Sequence, residues 1–79
     1  FYRTKADRAR QAAAKKRIAF LEKTIESNEQ LIEQLTEQMS DPQIAADYQK
    51  VEEICGQIEQ LKNQNESFGE EWLELLEEE

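Results

Sequence analysis

Apolar residues recur at alternating intervals of four and three from Ala14 through Ile18, Leu21, Ile25, Ile32 and Leu35 to Met39. A second series runs from Val51 through Ile54, Ile58, Leu61, Phe68 and Trp72 to Leu75, with Asn28 and Asn65 filling the two remaining places. A seven-residue repeat lays one apolar seam along a helix, and a second helix must cover it. Between the two series lies SDPQIAAD, residues 40–47. Pro42 lacks an amide hydrogen and disfavours helix at Asp41, so a helix running into it stops. Ser40 or Asp41 can cap one short helical turn inside the break, and Asp47 can cap the next helix by accepting a backbone N–H of its first turn. A short connection makes neighbouring helices antiparallel. The expected fold is all-α, a two-helix antiparallel coiled-coil hairpin roughly 50 Å long at ~1.5 Å per residue. It is expected to form a single unit over 1–79, with helix 1 about 4–39, a bend at 40–47 and helix 2 about 48–78.

Two registers compete. One sets Ile18 against Phe68, Leu35 against Val51 and small Ala14 against bulky Trp72. It also brings Arg17 near Glu71, Arg10 near Glu78 and Glu29 near Lys62, and it is the register the sequence favours. The rival, one heptad along, pairs Asn28 with Asn65, forgoes two of those charge pairs and needs a longer loop. In either register a buried asparagine costs stability and fixes the alignment. Ile18, Leu21, Ile25, Ile54, Ile58 and Leu61 are the expected centre of the core.

The composition narrows the function. With no histidine and one cysteine the chain has no ligand set for zinc and no internal disulfide. No apolar run approaches the ~20 residues that span a bilayer, and no signal-peptide pattern is present, so a cytoplasmic chain without membrane contact is expected. The sequence begins at Phe1, which points to a piece of something longer. The acidic close EEWLELLEEE reads as a solvated face, because paired carboxylates catalyse only where a pocket separates their pKa values. Cys55, beside the seam with no histidine to activate it, reads as a small apolar filler. Trp72 and Phe68 belong to the seam, Tyr48 flanks it near the bend, and Gly56 falls on the outer face of helix 2 with no functional reason. A catalytic site, a metal and a cofactor are therefore not expected within the chain, and it is expected to be a monomer.

Charge is divided along the sequence. Residues 1–23 hold eight Lys and Arg against Asp7 and Glu22, a net +6, whereas residues 24–79 hold Lys50 and Lys62 against sixteen acids, a net −14. Five of the ten cations crowd into RARQAAAKKR, Arg8 to Arg17. The favoured register turns Arg10 and Arg17 toward the acids of helix 2. It leaves Lys5, Arg8, Lys15, Lys16 and Lys23 facing outward along one stripe. Surface ion pairs are worth only ~0–1 kcal/mol each, so two of them do not require so dense a run. A Lys/Arg stripe suits a phosphate backbone, which it binds by releasing counterions. The acids of helix 2 alongside would oppose that binding.

Three segments carry a resemblance: the basic run ending KKRIAFLEKTI, the bend SDPQIAADYQKV, and the close FGEEWLELLEE, where a Trp sits between glutamates. With them the chain resembles, over nearly its whole length, the carboxy-terminal domain of the ABC-F ATPases. These proteins have two ATP-binding cassettes and no membrane domain, and this module is the ABC transporter C-terminal domain. The resemblance implies a helical hairpin on an ATPase that acts on the ribosome or its RNA during translation. Some members bind DNA through this hairpin. No G-x-x-x-x-G-K-[ST] phosphate loop occurs here, so ATP binding and hydrolysis would belong to an upstream part of the parent.

The function expected is a non-catalytic nucleic-acid-binding appendage of such an ATPase. Its partners would be ribosomal RNA, tRNA or DNA, and the ribosome, with Lys5, Arg8, Lys15, Lys16 and Lys23 as the contact residues. The alternative is a protein-interaction or spacer coiled coil that does not bind nucleic acid. Salt dependence separates the two, because phosphate contacts weaken steeply with salt.

Overall fold

A computed structural model describes residues 4–77 of the chain. It is a rod of 64 × 14 × 14 Å built from α1 (Lys5–Gln38), a single short turn α2 (Pro42–Ala45) and α3 (Tyr48–Glu77). α1 and α3 lie side by side as an antiparallel hairpin, the all-α architecture that the seam dictates.

Each boundary has a local cause. Thr4 opens α1, its hydroxyl accepting the Asp7 amide at 3.3 Å. At the other end the last turn tightens, with the Ser40 and Asp41 amides donating to the Glu37 and Gln38 carbonyls. Asp41 caps α2, its side chain accepting the Gln43 amide at 2.9 Å. Pro42 sits in the first turn, where its missing N–H costs nothing. The carboxylate of Asp47 then takes the amides of Gln49 and Lys50 at the start of α3.

The alignment of the helices departs from the favoured register. Asn28 Nδ2 donates to Asn65 Oδ1 at 2.9 Å, and Asn65 Nδ2 donates to the Ile25 carbonyl at 3.3 Å. Met39 meets Cys55, and the Trp72 indole donates to Glu22 Oε1 at 3.0 Å. Trp72 therefore sits two turns deeper than a pairing with Ala14 allows. This is the alignment one heptad along. Two things favour it. An asparagine amide taken out of water without a partner costs about 1–3 kcal/mol, more than an exposed ion pair returns. The extra loop length is supplied by α2, which packs against α3 as a helical turn. Of the three expected charge pairs, Arg17 with Glu71 forms. Glu29 and Lys62 do not meet as an ion pair, because the shift lays Lys62 along the same cleft as Thr36. Glu78, the expected partner of Arg10, lies outside the described residues.

Leu21 is fully buried, and Ile54, Ile58 and Asn28 are buried with it. Ile18, Ile25 and Leu61, expected at the same depth, are half-buried, since two helices cannot enclose a seam from every side. Phe68 and Trp72 are also half-buried. Tyr48 is 80% exposed. Cys55 is an exposed free thiol against the Met39 thioether at 3.8 Å, so it is not the enclosed filler the sequence suggests. A methyl group added at Gly56 would meet nothing within 4 Å.

The shifted register also uncovers one end of α1. Glu77, the last described residue of α3, stands about level with residue 16 of α1 in a heptad-aligned antiparallel pair. The segment from Lys5 to Ala13, roughly 13 Å at ~1.5 Å per residue, projects past it.

Candidate nucleic-acid interface

The five expected contact residues all lie on α1 and are all exposed. At ~100° per residue, Lys5, Arg8, Lys15, Lys16 and Lys23 fall within one sector about 100° wide, turned away from the seam. Lys5 and Arg8 stand on the projecting segment, and Lys15 and Lys16 at its base. None of the five is in an ion pair with another described residue.

Arg17 has a different role. It lies on the opposite flank, where its guanidinium takes Glu71 in a forked pair, Nε to Oε2 at 2.5 Å and Nη2 to Oε1 at 3.0 Å. The hydrogen bond from Arg17 holds the Glu71 carboxyl below its ordinary range, helped by the neighbouring positive charge and opposed by partial desolvation. The same bond raises the Arg17 pKa above its usual value. The guanidinium carbon also stands 5.0 Å from the centre of the Phe20 ring, within cation–π range. Arg10 is exposed on the same flank.

Phe20 escaped the sequence reading. It is 52% exposed, outside the seam, and shares a shallow cleft with Lys23, Thr24 and Ser27. The signal was present: an aromatic residue off the heptad, three positions beyond a basic run. Phe20, rather than Trp72 or Phe68, offers an open ring beside the cations. Trp72 is instead held in a cleft with Ile25 and the acids Glu22, Glu26 and Glu29.

Other chemistry has little foothold. Among the described residues no group of three His, Cys, Asp or Glu could hold a metal ion. No helix among them is long and apolar enough to cross a membrane.

The sequence model of the ABC transporter C-terminal domain matches residues 10–77. The chain belongs to that family. No curated protein and no solved structure gives a match. The ABC transporter C-terminal domain match spans the bend, both faces of the seam and the cations from Arg10 onward, so Lys15, Lys16 and Lys23 fall inside it. Lys5 and Arg8 precede it. As a member of this family the chain is the helical appendage of an ABC protein.

Proposed function

We propose that this domain is a non-catalytic nucleic-acid-binding appendage of an ABC-F type ATPase that acts in translation, with ribosomal RNA as its foremost target and DNA or tRNA read through the same backbone chemistry. ATP is bound and hydrolysed by cassettes elsewhere in the parent. One observation carries the reading. Five exposed cations without ion-pair partners occupy one sector of α1, and part of that sector projects beyond the acidic helix. The objection that helix 2 acids would lie alongside and repel phosphate is weakened by the shifted register. Lysine and arginine on an exposed helix face bind phosphate largely without reading sequence, and Arg8 adds a fork of donors. Phe20 supplies an open ring beside Lys23 on which an unpaired base can stack.

The test is a salt titration of RNA and DNA binding, comparing the wild type with Arg8→Gln, Lys15→Gln and Lys16→Gln combined. Melting should be nearly unchanged, because exposed charges contribute little to stability. Affinity should fall, and its dependence on salt should flatten by about 0.7–0.9 log units of slope for each phosphate no longer neutralised. A triple variant that binds as tightly, or a wild type that binds nothing at low salt, would assign the charge to folding or to a protein partner.

A further inference from the structure

The two long sides of the rod differ in charge. One side carries Glu22, Glu26, Glu29 and Glu33 of α1 alongside Glu59 and Glu66 of α3. The other side holds an open groove lined by Leu31, Leu35 and Leu61 together with Gln34, Gln38, Gln57, Gln60 and Gln64, and no charged residue lines it. In a chain that is 35% charged, this interruption is specific to one face. Leu31 stands 45% exposed along the groove, and the amides of Gln34, Gln38, Gln57 and Gln60 make no hydrogen bond to another described residue.

We infer that this groove is a self-association face, on which a second copy of the chain packs antiparallel to form a weak four-helix dimer. Charge selects the occupant. Each copy carries −8, and the groove is where two copies can touch without setting carboxylates against carboxylates. Its chemistry also matches itself. A glutamine amide both donates and accepts, so a two-fold axis through the groove pairs glutamine with glutamine and Leu31 with Leu31. The area limits the strength. A strip over Thr24–Gln38 is roughly 22 Å long and as wide as the rod, about 300 Å² per copy, against ~800 Å² for a standard interface. The dimer is therefore transient and depends on concentration. The cations Lys5, Arg8, Lys15, Lys16 and Lys23 lie on other faces and stay open in it.

Salt separates this inference from nucleic-acid binding. Like-charged copies are screened from one another as salt rises, so association strengthens, whereas phosphate binding weakens. Sedimentation equilibrium of the 79-residue chain, over roughly 10 µM to 1 mM to span micromolar to millimolar affinities, is the measurement. Mass should climb toward twice the monomer with concentration. Raising the salt should shift that climb to several-fold lower concentration. Leu31→Glu should remain monomeric with unchanged helicity, and Leu73→Glu, a control on another exposed leucine, should associate like the wild type. Should Leu31→Glu lose helicity, Gln34→Glu with Gln60→Glu places charge in the groove without touching the leucines and must likewise abolish association. A wild type monomeric throughout, association abolished by Leu73→Glu, or association weakened by salt would each overturn the inference.

Discussion

Arg17 shows how one residue can be legible in its pairing and not in its setting. Its pairing with Glu71 survives a displacement of the helices by a heptad, because both side chains are long enough to reach diagonally across the flank. The same reach made the pair a poor guide to register. Its pH behaviour follows from the Glu71 carboxyl, which titrates lower in the folded chain than in the unfolded one. The pair therefore contributes its stability in full above the ordinary carboxylate range. That contribution declines as pH falls below the unfolded value and is gone once pH passes below the folded one. A double-mutant cycle of Arg17→Gln and Glu71→Gln, read from melting temperatures, should give favourable coupling at neutral pH. The coupling should vanish in acid. Coupling that persists below the carboxylate range would assign the interaction to packing on Phe20 instead of to charge.

At the scale of the elements, the seam, the break at Pro42 and the capping roles of Asp41 and Asp47 were all legible, because each is a local property of a few residues. The register was not. It depends on comparing interactions across the hairpin, and counting charge pairs favoured the wrong alignment. What outweighs them is the asparagine pair. Asn28 is 8% exposed, and its amide is satisfied only when Asn65 stands opposite. The five candidate cations were legible as exposed positions, since a sector facing away from the seam does not depend on alignment. Their separation from the acids of α3 was not, since that follows from the register. Removing one partner alone, as in Asn28→Ala, should destabilise the hairpin by about 1–3 kcal/mol, because the Asn65 carbonyl oxygen is left without a donor. Changing both asparagines to Leu should raise the melting temperature yet broaden or double the NMR resonances of the seam, as the alignment loses its lock. A double variant with one sharp set of resonances would show that the asparagines do not choose the register.

For the whole molecule, the offset between the two helices leaves Lys5–Ala13 supported by its own hydrogen bonds and by the Thr4 cap. Isolated helices shorter than ~12–15 residues are marginal in water. Amide exchange should therefore be fast over Lys5–Ala13 and slow around Leu21 and Ile54–Ile58, and a polyanion should slow it in the first segment alone. Equal protection along all of α1 would contradict the offset. The offset also bears on how the molecule meets a partner. Charges separated by more than ~8 Å are largely screened from each other at physiological salt, and the rod is 64 Å long. Its two ends are thus felt separately, and the formal charge of −8 describes neither. A polyanion repels the acidic shaft and attracts the tip, where Lys5, Arg8 and Arg10 stand against Asp7 alone. The rod is turned tip-first before any contact forms, so a protein that is acidic as a whole can be steered end-on into an anionic surface.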